Sequence, residues 1–125
     1  MFNNSYVLIS AAPRPPQTVT VNPQSPNSLR VSWNASVSDG VSGYEVSYSP
    51  VEGSCEGVVG GIVVVEGGNM LNKVVSGLQA YTEYNITVRA RGADGVGPPS
   101  AAQTERTMAD GMLELILEPL ILPNS

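Results

Sequence analysis

Strict alternation of apolar and polar residues over positions 84–91 is the clearest pattern in the chain. One face of this stretch carries the apolar side chains of Tyr84, Ile86, Val88 and Ala90. A period of two is typical of a strand that is buried on one side, because successive side chains of a strand point to opposite faces. The pattern therefore predicts a strand with one face in a core and the other in solvent.

Six further stretches have the same period or a β-branched composition. They cover residues 17–22, 28–34, 43–48, 62–65, 70–76 and 101–107. The residues between them are rich in glycine, proline, asparagine and aspartate, which form turns. Turns spaced by about ten residues, with no helical period between them, favour an antiparallel sandwich over a parallel sheet. The sequence thus predicts an all-β, seven-stranded antiparallel sandwich.

Length and charge limit the possible functions. A chain of 125 residues is long enough for one core and too short for two ordinary ones, which predicts a single domain. Six Lys and Arg stand against eleven Asp and Glu, and the basic residues are scattered along the chain. Affinity for nucleic acid depends on clustered cations, so this composition argues against a nucleic-acid partner.

No residue pattern in the chain points to catalysis, a metal or a cofactor. Histidine is absent, which removes the commonest general base and the commonest zinc ligand. The single cysteine, Cys55, lies between Glu52 and Glu56, and this negative surrounding disfavours a reactive thiolate. We therefore expect an inert thiol. The sequence has no nucleophile elbow, so we expect no enzyme activity, and it has no calcium loop, so we expect no bound metal.

The two ends of the chain are predicted to lie outside the domain, which we place at residues 13–107. Residues 1–12 are interpreted as a linker or a signal-like segment, because the run Tyr6–Ala12 ends in small residues but has a short apolar core without a preceding cation. Residues 108–125 are interpreted as a tail. Their apolar run, Met112–Leu122, contains two glutamates and a proline and is shorter than the ~20 residues that span a bilayer. We therefore expect no membrane insertion.

Several separated positions resemble the fibronectin type III family. Leu78 precedes Tyr84 by six residues, which resembles the tyrosine corner of sandwich domains, where the phenolic hydroxyl bonds to upstream backbone. The other positions that carry the resemblance are Pro16, Trp33, Tyr44, Gly77, Ala90 and Ser100. One departure is Ala80, where the family often has proline.

The resemblance implies a fold and a general role. The fold is an immunoglobulin-like Greek-key sandwich whose core holds Trp33, Tyr44, Leu78 and Tyr84. The role is that of a non-catalytic protein-binding or adhesion module of an extracellular or cell-surface protein, with adjoining domains in a longer chain. Two alternatives stay open: a structural spacer in a tandem array, and an accessory domain of a secreted hydrolase.

Candidate ligand contacts lie in the loops at residues 34–42 and 91–99, with Arg91 and Asp94 as the charged candidates. In the resembled family this second loop displays an Arg-Gly-Asp adhesion signal, but Ala93 interrupts it here and changes the separation of guanidinium and carboxylate. Asp94 is therefore more simply a turn residue. The outward face of strands 43–48 and 84–91, or an exposed edge strand that adds a partner strand, offers an alternative contact.

Three Asn-x-Ser/Thr sequons are candidate N-glycosylation sites. They begin at Asn3, Asn34 and Asn85. Asn34 and Asn85 fall at the end of one predicted strand and on the outward face of another, where a transferase could reach them after secretion. Chance occurrence is the alternative, since asparagine, serine and threonine are common in strands and turns.

Overall fold

The computed structural model describes residues 12–38, 40–53 and 57–110. This part of the chain contains eight strands, which pair in antiparallel fashion. The strands are β1 (Val19–Ser25), β2 (Ser28–Trp33), β3 (Val41–Pro50), β4 (Gly61–Glu66), β5 (Asn72–Val75), β6 (Glu83–Gly92), β7 (Gly95–Val96) and β8 (Gln103–Arg106). One sheet has the order β1-β2-β5, and the other has the order β4-β3-β6, with β7 and β8 both paired to β6. This confirms the predicted all-β sandwich.

The core lies between the two sheets and is built from the inward positions of alternating strands. On β6 these positions are Tyr84, Ile86, Val88 and Ala90, none of which exposes more than 1% of its surface. The facing sheet contributes Leu29 and Val31, which are completely buried. Burial of this kind supplies roughly 25 cal/mol per Å² of apolar surface, which favours the sheet packing.

The four residues proposed for the core occupy it. Trp33, Tyr44, Leu78 and Tyr84 are all buried. The rings of Trp33 and Tyr44 lie on opposite sheets, with centroids 5.2 Å apart and planes tilted by 57°. A tilted pair at this separation has favourable quadrupole geometry in addition to its buried area.

The count of seven strands was wrong by one, and the reason lies in the segment after β6. Its backbone returns along β6 in steps: Gly95 and Val96 form β7, and the Gly97 amide donates to the Ala90 carbonyl at 2.9 Å. Ser100 then bonds Val88 through both its amide and its hydroxyl, each at 2.9 Å. The predicted strand 101–107 is therefore shorter, Gln103–Arg106, and is preceded by a second short strand.

The first strand, predicted at residues 17–22, begins and ends later, since β1 starts at Val19 and continues through Pro23 to Ser25. Proline cannot donate a ladder hydrogen bond, but β1 is the outer strand of its sheet and pairs with β2 alone in the described residues. A register shift between Pro23 and Ser25 accommodates the change. The strand predicted at 70–76 begins later, at Asn72, because the Met70 amide closes a turn onto the Gly67 carbonyl at 3.2 Å.

The corner before β6 contains the hydrogen bond that the resemblance predicts. The Gln79 amide donates to the Tyr84 hydroxyl at 2.9 Å. Gly77, with a φ of 74°, makes the left-handed step that precedes the corner. Asn27 then attaches the corner to the β1–β2 turn: its side chain donates to the Leu78 carbonyl at 2.9 Å, and its own carbonyl accepts from the Leu78 amide at 2.9 Å.

Several sequence predictions concern residues that the structure leaves undescribed. Cys55, the sequon at Asn3 and the signal-like run up to residue 11 lie outside the described residues, as do residues 111–125. Among the described residues, no helix has the length and apolar character that a bilayer crossing requires.

Candidate binding surface at one end of the sandwich

Three loops meet at one end of the sandwich, which we call the loop end. They are the β2–β3 loop (34–40), the β4–β5 loop (67–71) and the β6–β7 turn with the residues that follow it (93–99). Strand pairing places them together, because Gly43 is opposite Glu66 and Val41 is opposite Gly92. Two of these loops were proposed from the sequence, and the β4–β5 loop was missed.

Tyr44 connects two of the loops to the core. Its ring is completely buried, and its hydroxyl accepts a hydrogen bond from the Ser36 amide at 3.2 Å. The same hydroxyl donates to the Gly68 carbonyl at 3.4 Å. One side chain of β3 therefore fixes the β2–β3 loop relative to the β4–β5 loop.

The N-terminal segment supports the loop end from the side. The Arg14 amide donates to the Ser38 hydroxyl at 2.7 Å, and the Ser36 hydroxyl donates to the Arg14 carbonyl at 2.6 Å. Gly97 lies so close to the Pro13 backbone that a β-carbon at this position would collide with it. Loops held in this way lose little conformational freedom when a partner binds, which favours recognition.

Each of the three loops exposes one large hydrophobic side chain. Val37 in the β2–β3 loop is 59% exposed, Met70 in the β4–β5 loop 51%, and Val96 in β7 40%. Single exposed apolar residues are common on soluble proteins, whereas several in one region are typical of an interaction surface. Sequence reasoning missed Met70, although an apolar residue directly after the turn-forming run Gly67–Asn69 is a usable signal.

The charged candidates Arg91 and Asp94 are not brought together. The Arg91 guanidinium lies 3.6 Å from the Glu45 carboxylate and 3.6 Å from that of Glu66, so it bridges β6, β3 and β4. Asp94 is exposed in the two-residue turn between the paired residues Gly92 and Gly95. This geometry gives Arg91 a role on the outward face of the sheet and leaves Asp94 at the rim of the loop end.

A cleft lies at the opposite end of the sandwich. It has a volume of about 230 Å³ and is lined by Val51, Glu52, Gly53, Tyr81, Thr82, Glu83 and Arg106. Its cation is already engaged, because Arg106 lies 3.7 Å from the Glu83 carboxylate and 4.6 Å from the centre of the Tyr81 ring. The Arg106 guanidinium is therefore already paired within the chain.

Both sequons in the described residues are accessible. Asn34 follows β2 directly and is exposed at the loop end. Asn85 is exposed on the outward face of β6, where its side-chain oxygen accepts a hydrogen bond from the Thr104 hydroxyl at 2.8 Å. The oxygen makes this bond, and the amide nitrogen of Asn85, the atom that carries a glycan, does not take part in it.

Comparison with known proteins shows the family. The family model of the Fibronectin type III domain matches residues 14–106. The chain belongs to the fibronectin type III family. The two sheets, the buried tryptophan and the corner tyrosine are thus the family's fold in this sequence. This agrees with the resemblance drawn from the separated positions.

Related fibronectin type III segments occur in much longer proteins. The chain is 32% identical over 101 residues to "Receptor-type tyrosine-protein phosphatase F" of Bos taurus, a match covering 81% of this chain and 5% of that protein. It is 38% identical over 89 residues to "Contactin-6" of Rattus norvegicus, covering 68% of this chain and 8% of that protein. The crystal structure of the FN5 domain of Drosophila Lar, 29% identical, superposes with a TM-score of 0.65 and covers 79% of this chain and 100% of that domain.

Both curated relatives are far longer than the segment that this chain matches. The chain spans 5% of the length of the phosphatase relative, and residues 14–106 of this chain match the fibronectin type III domain, which is a non-catalytic module. The similarity is therefore to a small, non-catalytic part of that phosphatase. In the described residues, no group of three or more potential metal-ligating side chains comes together.

Proposed function

We propose that this domain is a protein-binding module of an extracellular or cell-surface protein and that it contacts its partner through the loop end. One observation carries the proposal: three loops at one end each expose an apolar side chain, Val37, Met70 and Val96. Protein interfaces concentrate their binding energy in a few apolar contacts at the centre and surround them with a polar rim. Asp94 and the serines of the β2–β3 loop supply such a rim.

The extracellular location rests on two supporting observations. One similar protein carries "Receptor-type" in its name. In addition, the two sequons at Asn34 and Asn85 are exposed, as glycosylation in the secretory pathway requires. The partner is a protein rather than a nucleic acid, because the net charge of -5 opposes binding to a phosphate backbone.

The proposal is tested by differential capture. The full chain is immobilised and incubated with a detergent extract of cell-surface proteins, alongside the double variant Val37→Asp/Val96→Asp. A matched control is Met108→Asp, which changes an exposed apolar residue near the opposite end. We expect proteins retained by the parent and by the control to be absent from the double variant. Equal retention by all three chains contradicts recognition through the loop end.

A structural spacer is the second candidate, favoured by the path of the chain. The backbone enters the domain at Pro13, which contacts Gly97 at the loop end. It leaves β8 at the opposite end, where the Met108 amide donates to the Ser25 carbonyl at 3.4 Å. An entry point and an exit point at opposite ends of the sandwich let a domain add its full length to a tandem array. Equal retention in the capture experiment supports this alternative.

A further inference from the structure

The outer edge of β4 has backbone groups that the sandwich does not use. In the described residues β4 pairs with β3 alone and forms one edge of its sheet. The Gly67 amide donates to the Ser42 carbonyl at 2.8 Å, which makes Gly43 and Glu66 a non-hydrogen-bonded pair of the antiparallel ladder. Hydrogen-bonded pairs alternate with such pairs. The amides and carbonyls of Ile62 and Val64 consequently point away from β3.

The same two residues expose their side chains. Ile62 is 61% exposed and Val64 is 44% exposed, whereas Val65 between the sheets is 4% exposed. Residues 57–65 contain neither a charged residue nor a proline. At this edge, Ile62 and Val64 each present an amide and a carbonyl without a partner strand and an exposed apolar side chain. An edge of this kind pairs readily with another strand.

The other strand edges in the described part of the chain are protected. β1 contains Pro23 and a register shift, and β5 has only four residues, one of which is Lys73. β7 has two residues, and β8 ends with Glu105 and Arg106. Prolines, bulges, charges and shortness are the devices that prevent edge-to-edge pairing. β4 has neither a proline nor a register shift in its six residues, and its single charge, Glu66, stands at its last position.

We propose that two copies of this chain associate by antiparallel pairing of β4 with β4, which joins their sheets into one. The two-fold axis passes beside Val63, so that Ile62 of one copy lies opposite Val64 of the second copy. Because both residues direct amide and carbonyl outwards, this register forms four hydrogen bonds between the copies. Ile62 and Val64 of both copies then form one apolar stripe on the outer face.

A second copy fits this edge because β4 is complementary to itself. A two-fold interface requires the same patch on both subunits, and the register around Val63 satisfies every outward group of Ile62 and Val64. The two Glu66 side chains fall on opposite sides of the axis, where they do not repel each other closely. One strand pair buries less than the roughly 1,200 Å² of a stable interface, so the association is weak and concentration-dependent. It does not depend on recognition through the loop end.

Sedimentation velocity of the full chain tests the proposal, from about 10 µM to about 1 mM, where weak interfaces become populated. The edge variants are Val64→Lys and Ile62→Lys. The control is Val37→Lys, which places the same charge at a loop residue of similar exposure. Thermal unfolding confirms that each variant is folded. We expect the parent and the control to shift from monomer to dimer and either edge variant to weaken dimerisation at least about tenfold.

Disulfide trapping tests the register in a Cys55→Ser background. In the proposed register, residue 63 of one copy is opposite residue 63 of the second copy in a non-hydrogen-bonded pair. The Cα atoms of such a pair lie about 4.5 Å apart, and a disulfide can form between them. Val63→Cys should therefore cross-link faster than Ile62→Cys. A parent that stays monomeric through the concentration range, dimerisation unaffected by both edge variants, or equal cross-linking at the two positions overturns the proposal.

Discussion

At the scale of single residues, two tyrosines connect the core to the surface. The Tyr44 hydroxyl accepts a hydrogen bond from the Ser36 amide and donates one to the Gly68 carbonyl. The Tyr84 hydroxyl accepts a hydrogen bond from the Gln79 amide. Each ring is buried, so the position of the hydroxyl is set by core packing. The geometry of the loops is thus a consequence of the same side chains that stabilise the sandwich.

Replacing Tyr44 with phenylalanine separates these two roles. The ring stays in the core, but the Ser36 amide and the Gly68 carbonyl lose their partner, and we expect a loss of about 1 kcal/mol in unfolding free energy. Faster amide exchange at Ser36 is the more specific result, measured by NMR. Tyr48→Phe is the control, because Tyr48 lies toward the other end of β3. Unchanged exchange at Ser36 contradicts the bridging role.

Trp33 stabilises the core through the packing of its ring and not through a hydrogen bond of its indole nitrogen. Its indole nitrogen is buried without a hydrogen-bond partner in the described residues, while its ring packs against Tyr44. Trp33→Ala should lower the unfolding free energy by about 3–5 kcal/mol in urea titrations, because it leaves a cavity. Trp33→Phe should cost less, since it keeps an aromatic ring and removes the unsatisfied donor. A Trp33→Ala protein that melts near the parental temperature would refute this account of the core.

At the scale of elements, β3 is the strand on which the larger sheet depends. It pairs with β4 on one side and β6 on the other, and it carries both the loop-anchoring Tyr44 and the salt-bridged Glu45. Its contact with β4 is close at Gly43, where an added β-carbon would collide with the Val65 carbonyl oxygen. The attachment of the β4 edge to the sandwich therefore depends on a residue without a side chain.

Gly43→Ala tests this close contact. The new methyl group must push backbone away from backbone, so we expect β4 to separate from β3 near Val65 and the domain to lose about 1–3 kcal/mol of stability. Hydrogen exchange should show reduced protection of the Val65 amide before that of the β6 amides. Ser49→Ala, an exposed change on the same strand, is the control and should leave protection unchanged. Parental protection at Val65 in Gly43→Ala would contradict the steric argument.

At the scale of the whole molecule, the sequons and the proposed binding surface are partly separated. Asn34 stands at the loop end, whereas Asn85 lies on β6 opposite Ser49 and Thr104, toward the other end. A glycan at Asn85 is therefore compatible with a partner at the loop end. A glycan at Asn34 would shield Val37 and weaken binding there.

Secretion from mammalian cells behind an added signal sequence tests glycan attachment. We expect the secreted chain to carry a glycan at Asn85, so that Asn85→Gln removes one glycan mass from the intact protein in mass spectrometry. Asn34→Gln reports on the second site in the same way, and the double variant is the baseline. A parent chain with the mass of its polypeptide alone would contradict accessibility of both sequons.

Sequence reasoning was most successful where packing produces a period. The alternation in β6 and the spacing of the aromatic residues predicted the sandwich and its family, because both follow from burial on one face. The sequence did not predict the extra strand β7. Its two residues pair with β6 through backbone groups, and such pairing does not require particular side chains. The continuation of β1 through Pro23 escaped for a related reason, because only the edge position of the strand makes a proline acceptable there.

The candidate site was only partly predictable. The loops around Val37 and Val96 were recognised from turn residues and the family resemblance, but the third loop with Met70 was not. Its position at the same end follows from the pairing of β4 with β3, which local sequence does not specify. The orientation of the β4 amides is likewise a property of the ladder register and leaves no trace in composition.

The opposite placement of Pro13 and Met108 has a mechanical consequence. A tensile force applied through neighbouring chain on both sides would act along the strands, so that the β1–β2 ladder is sheared rather than peeled apart. In shear, several rungs share the load and must rupture together. Met108 and Ser25 would transmit the pull between the last strand and the first. The domain should therefore unfold only at high force. This property suits a module that lies between two anchored parts of a longer protein.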